Sequence, residues 1–124
     1  MRFELTVLGV NSALPAHGRH PSAHFLNIQE DVFLIDCGEG TQMRLQEERL
    51  PFARIEHIFI SHLHGDHIFG LIGLLTSLDL QRRTQPLDIF GPVGLEEIIG
   101  IQLKHVGREN FFFPCRFHTV LSNT

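Results

Sequence analysis

Apolar and polar positions alternate through FELTVLG, Phe3 to Gly9, the two-residue period of a strand with one face in a core. VNSALPAHGRHPSA follows, rich in Gly, Pro and Ser, and reads as a loop. HFLNIQ and VFLID flank Glu30-Asp31, which fits a two-residue hairpin turn. After CGEG the segment TQMRLQEERL collects good helix formers, with Thr41 as its expected N-cap. HIFI is short and continuously apolar, the pattern of a strand buried on both faces. IFGLIGLLTSLDL is apolar nearly all round, so it is predicted to be a buried helix. PLDIF reads as a strand stopped by Gly-Pro, GLEEIIGIQLKHV as a helix with Ile98, Ile99 and Leu103 inward, and FFFPCRFHTVL as a last apolar segment. Strands come first and then alternate with helices, the order of an α/β layered architecture, with no repeat and no linker.

Composition narrows the class. The 124 residues fit one domain or part of a larger one, and 43% hydrophobic with 19% charged residues is a globular mixture. Folding at this size buries roughly 65–70% of the unfolded chain's surface, so a core is possible. No apolar run approaches the roughly 18 residues that span a bilayer. MRFELTVLG is too short and too alternating for a secretory leader, so a cytoplasmic protein with no membrane partner is expected. The net charge is −4 and Lys104 is the single lysine, which excludes the basic stripe of a typical nucleic-acid binder. Any RNA phosphates must be met by a few placed arginines, a metal, or parts outside this chain. Cys37 and Cys115 form no CxxC pair, so a cysteine zinc site is excluded and each is expected to pack as a small hydrophobe.

The chemistry concentrates in SHLHGDH, residues 61–67. In extended backbone, side chains two apart point the same way, so His62 and His64 can reach one cation together at Zn–N distances of about 2.0–2.1 Å. Gly65 permits a sharp turn that aims Asp66 and His67 at a second cation beside the first. Two neighbouring cations polarise a water and stabilise the leaving oxygen of a phosphate ester. Asp66 can ligate and also accept the water's proton. With 9 histidines in 124 residues, an HxHxDH string would arise by chance about 0.002 times.

These residues resemble the HxHxDH motif of the metallo-β-lactamase superfamily. LIDCGEGTQMRL, residues 34–45, resembles the DCGEGTQ segment of the ribonuclease Z family, endonucleases that trim the 3′ side of precursor tRNA. VLGVNSALPAHGRHPSA, HGDHIFGLIGLL and IFGPVGL are similar to the family's opening strand and loop, its next helix and its strand-Gly-Pro turn, in the same order. The resemblance implies an αββα four-layer sandwich of the metallo-β-lactamase type, of which residues 1–124 would be the N-terminal half: a mixed sheet with covering helices. It implies two zinc ions in the full-length subunit, His62 and His64 on one, Asp66 and His67 on the other, with Asp66 as proton acceptor. Asp36 would orient the site from behind. The family's Pro-x-Lys-x-Arg-Asn loop is PAHGRH here: Pro15 and Arg19 remain, while His17 and His20 replace Lys and Asn. Arg19 is the candidate grip on a substrate phosphate; the changed Pro15–His20 loop leaves open the discrimination against CCA ends that the family associates with it.

The family chain is more than twice this length. Its further ligands, a histidine for the first zinc, a bridging aspartate and a histidine for the second, come later in family order, as does its tRNA-binding arm. His118 comes too early to be the missing histidine, His105 reads as a surface residue, and His17, His20, His24 and His57 have no ligand spacing with the motif. The expected activity is that of a zinc endoribonuclease removing the 3′ trailer from precursor tRNA, with this chain inactive alone. The alternatives are another superfamily hydrolase, acting on a thioester, lactam or cyclic phosphodiester, or a non-catalytic fragment. A first sheet without its second also leaves apolar positions of FELTVLG, HFLNIQ and VFLID uncovered, with FFFPCRF adding more, so association with a second copy is expected.

Overall fold

The computed structural model describes residues 3–9, 22–105 and 111–120, with Asp66 described by its backbone alone. Six strands form one sheet in sequence order: β1 Phe3–Gly9, β2 Ala23–Ile28, β3 Asp31–Ile35, β4 His57–Phe59, β5 Leu87–Gly91 and β6 Cys115–Thr119. The first three pair antiparallel, and β3 through β6 run parallel. Parallel neighbours need crossovers. These are supplied by α1 Thr41–Glu47, then α2 Gly65–Ile68 with α3 Leu71–Leu80, then α4 Leu95–His105.

Local chemistry shifts two expected boundaries. The β2–β3 turn lies on Gln29 and Glu30, both in the left-handed region at φ 51° and 73°, so Ile28 pairs with Asp31 rather than the turn falling on Glu30-Asp31. Two left-handed corners make the twist of a tight hairpin, and Asn27 Oδ1 accepts the Glu30 N–H at 2.9 Å. This register also sets Phe25 opposite Leu34 in the core. Thr41 is the first residue of α1 and not its cap: Gly40 takes the cap position at φ 83°, and the Thr41 hydroxyl donates to Gly38 O at 2.7 Å.

One face of the sheet carries the core. Phe25, Val32, Leu34, Ile58, Leu87 and Ile89 are buried beneath Leu45 of α1, Leu71, Leu74, Leu75 and Leu78 of α3, and Leu95, Ile99 and Leu103 of α4. The other face has no helical layer among the described residues. HIFI is therefore buried on one face only: Ile58 is inaccessible, while Phe59 is 38% exposed. On that open face Phe33 stacks on His57 at 5.1 Å, Phe59 on Phe90 at 4.8 Å, and Phe90 on His118 at 4.6 Å. Phe3, Leu5 and Val7 continue it at the β1 edge, each about half exposed or more. From FFFPCRF, Phe113 is buried and Phe111 and Phe117 pack against the helix-side core, so this segment adds little to the open face.

Candidate functional site

The site lies beyond the C-terminal ends of β3 and β4, where open α/β sheets gather functional side chains. The chain leaves β3 through Asp36, in the left-handed region at φ 61°, whose N–H donates to Phe59 O at 2.7 Å. Cys37 N–H then donates to His67 O at 2.7 Å, and Gly70 N–H to Cys37 O at 2.9 Å. These bonds stitch the DCG loop to the α2–α3 junction. Gly70 makes the approach possible: a Cβ there would stand 2.1 Å from Gly38 O. The stitching seats the His67 ring against Asp36, with Nδ1 2.8 Å from Oδ2.

Three histidines of the motif come together. His62 and His64 rings lie 6.0 Å apart at 19°, and His62 and His67 rings 5.1 Å apart at 46°. Two imidazoles on one tetrahedral zinc hold their centroids about 5 Å apart; the His62–His67 pair stands at that spacing and the His62–His64 pair is wider, while the donor type suits a cation of that kind. Asp66 follows His64 by two positions on the backbone of α2; its side chain lies outside the described residues, as does Arg19. Among the described residues no three His, Cys, Asp or Glu side chains close round a metal ion. Cys37 is fully buried behind the loop, and burial, with the Asp36 charge adding to it, pushes its thiol up to about 12.

Asp36 is 5% exposed, so its oxygens need partners inside the protein. Besides His67 it is held by Ser61, whose N–H donates to Oδ1 at 2.8 Å and whose hydroxyl lies 2.9 Å from both carboxylate oxygens. Neither Ser61 nor Gly70 stands out in the sequence. Ser61 opens the very string that holds the histidines, but a serine after a strand reads as a loop residue. Gly70 reads as one more helical glycine until its neighbour across the fold is known. Beside Ser61 on the open face is a mainly apolar hollow of about 380 Å³ lined by Ile35, Phe59, Phe90, Pro92 and Val120.

The family model described as Anti-Pycsar protein Apyc1 matches residues 3–106. A curated relative named ribonuclease Z, from Cytophaga hutchinsonii, is 55% identical over 120 residues, 97% of this chain and 38% of its own length. The crystal structure of human tRNase Z, short form, superposes with a TM-score of 0.86 at 40% identity, covering 96% of this chain and 47% of that one. The metallo-β-lactamase fold protein YhfI from Bacillus subtilis shares the fold at a TM-score of 0.73 and 21% identity, covering 98% of this chain and 47% of that one. The chain spans between 31% and 38% of the length of the curated relatives it matches. One sheet with a single helical layer, ending in a histidine loop, is thus about half of a metallo-β-lactamase fold, and the chain belongs to the family described as Anti-Pycsar protein Apyc1, as a homologue of proteins named ribonuclease Z.

Proposed function

We propose that the complete protein carrying this chain is a zinc-dependent endoribonuclease that removes the 3′ trailer from precursor tRNA, and that residues 1–124 form the N-terminal part of its single catalytic domain. The observation that carries this reading is the meeting of His62, His64 and His67 beside the buried Asp36, in a chain whose relatives are named ribonuclease Z. His62 and His64 would hold one zinc, Asp66 and His67 the other. When bound, two such ions polarise water and neutralise charge building on the phosphate and the leaving oxygen. Asp66 accepts the water's proton. The water oxygen bonds to phosphorus, the bond to the tRNA 3′ oxygen breaks, that oxygen takes up the proton Asp66 received, and the products are a tRNA 3′-hydroxyl and a trailer with a 5′-phosphate. Arg19 grips a substrate phosphate.

Incubating the complete protein with a precursor tRNA and mapping the ends tests this. Cleavage after the discriminator base, leaving a 3′-hydroxyl and abolished by chelation, is the expected result. A second reading keeps the metal chemistry and changes the ester to a small cyclic phosphodiester. It is favoured by His17 and His20, which stand in the PAHGRH loop where the tRNA-processing family has Lys and Asn. Hydrolysis of a cyclic nucleotide with precursor tRNA left intact would replace the first reading by the second.

The open face supports a further part of the proposal, a homodimer of the 124-residue chain by itself. Each large apolar side chain left on that face forgoes roughly 1.5–3 kcal/mol of burial. A 124-residue chain produced alone is expected to associate with a second copy through it. Light scattering should give a dimer; a monomer that binds no hydrophobic dye would show that the face needs no cover. No helix of the described residues is long and apolar enough to cross a membrane. We place the protein in the cytoplasm, in keeping with a tRNA-precursor substrate and with two free cysteines.

A further inference from the structure

Ser61 stands between two groups that the metal reading treats separately. Its Oγ is 2.9 Å from each oxygen of Asp36, 2.9 Å from His62 Nδ1 and 3.4 Å from His67 Nδ1. A hydroxyl has one proton to give and two lone pairs to receive with. An ionised carboxylate only accepts, and it draws a hydroxyl proton more strongly than a neutral imidazole does. The Ser61 proton therefore goes to Asp36. Were it turned to His62 instead, the hydroxyl lone pairs would face the carboxylate oxygens with no proton between them. With the proton on the Asp36 side, the contact with His62 is a hydrogen bond only if His62 Nδ1 carries the hydrogen and donates it. That fixes His62 as the Nδ1–H tautomer, with the lone pair on Nε2. His67 Nδ1, 2.8 Å from Asp36 Oδ2, is fixed the same way by direct contact.

We propose that Ser61 is a positioning residue that carries the orienting effect of Asp36 to His62, so that one buried carboxylate sets the tautomer of both imidazoles, His67 directly and His62 through a hydroxyl. This rests on the reading that these histidines hold metal. The local fold explains why a relay is needed. Asp36 is anchored by its own N–H to Phe59 O and by its carboxylate to Ser61 N–H, which leaves it beside His67. His62 follows Ser61 immediately, so the preceding hydroxyl is the group placed to bridge back.

The test uses the complete protein, labelled with ¹⁵N-histidine, and three variants: Ser61→Ala, Ser61→Thr and His62→Ala. In the metal-free protein, long-range proton–nitrogen spectra report which nitrogen of His62 is protonated. The wild type and Ser61→Thr should show the Nδ1–H form, and Ser61→Ala a mixture. Zinc affinity by chelator competition should fall about 10–100-fold in Ser61→Ala, the range for loss of a group behind a ligand, and recover in Ser61→Thr. The rate loss should lie in kcat, with KM near the wild-type value. A Ser61→Ala protein that keeps the Nδ1–H tautomer and binds zinc within twofold of wild type overturns the relay. If His62→Ala also leaves zinc affinity unchanged, the metal reading itself has failed; if His62→Ala loses zinc while Ser61→Ala does not, only the relay has. Should Ser61→Ala unfold, Ser61→Thr alone decides through its tautomer, since a hydroxyl with His62 in the Nε2–H form would overturn the relay equally.

Discussion

Asp36 follows the end of β3 and Asp88 lies in β5 of the same sheet, and each holds an imidazole nitrogen, Asp36 that of His67 at 2.8 Å and Asp88 that of His118 at 2.7 Å. By distance the two pairs are the same. Their surroundings differ. Asp36 is 5% exposed, held by Ser61, and its histidine has two more imidazoles nearby. Asp88 sits on the open face, where Arg116 forks onto it at 2.9 and 3.0 Å and His118 stacks on Phe90. A cation already neutralises Asp88, although His118 holds it and His57 stands beside it across the β4–β5 register. A carboxylate–histidine pair is common structural hardware. Several ligands converging around a buried one is what makes a candidate site.

The largest effect that separates the two regions is on rate. Asp66→Ala in the complete protein should lower kcat at least about 10²-fold at matched metal occupancy, the scale of a lost general base. Asp88→Asn should stay within about twofold of wild type. Equal losses in single-turnover assays would erase the distinction between the two pairs. The next effect is on metal: Asp36→Asn should weaken zinc binding about 10–100-fold, whereas His118→Ala should leave it alone. Titration against a chromogenic chelator separates them.

A third contrast sharpens the comparison through backbone rather than charge. Gly70→Ala pushes a methyl into Gly38 O, a backbone atom tied down on both sides, and should cost about 1–3 kcal/mol and loosen the Asp36–His67 contact. Gly73, three residues on in α3, has open space where a methyl would stand, with nothing within 4 Å, so Gly73→Ala should gain about 0.5–1 kcal/mol from helix propensity. Urea denaturation of the pair measures both. Similar signs for the two would mean that the loop stitching does not hold the site.

How far each region is legible follows from how local its signal is. SHLHGDH packs its histidines into one loop, so spacing alone exposes them. The succession of strands and helices and the helix-side core are legible because alternation and apolar runs are local too: Val32, Leu34, Ile58 and Ile89 are buried within the segments read as strands. Asp36 enters through the resemblance of its segment, because 31 residues separate it from His67. The Asp88–Arg116–His118 cluster is not legible at all; its members meet only because β5 and β6 pair in register, Asp88 beside Arg116 and Phe90 beside His118. The Gln29-Glu30 turn lies one residue from where the pattern puts it because neither side chain advertises a left-handed backbone, and the side chain that stabilises it belongs to Asn27.

The smallest expected effect concerns Asp88 and acid. The hydrogen bonds from His118 first, and from Arg116 next, hold its carboxyl below the usual carboxylate range. A carboxyl lowered by folding favours the folded state once it is ionised, and that contribution is complete above the unfolded value of about 3.9. It fades as pH falls through the lower folded value. The cluster lies on the open face, where water and salt screen it, so the contribution is small. Asp88→Asn keeps the shape and removes the charge. The mutant should be slightly less stable than wild type at pH 7, and the gap should close as pH drops below about 4. Raising salt at pH 7 should also narrow it. Urea denaturation of the 124-residue chain, in which that face is open, at both pH values reads the difference. A gap that persists unchanged into acid would mean that Asp88 acts through packing or neutral hydrogen bonds. The distinction from Asp36, a carboxylate kept buried by its partners, would then have to rest on convergence of ligands alone.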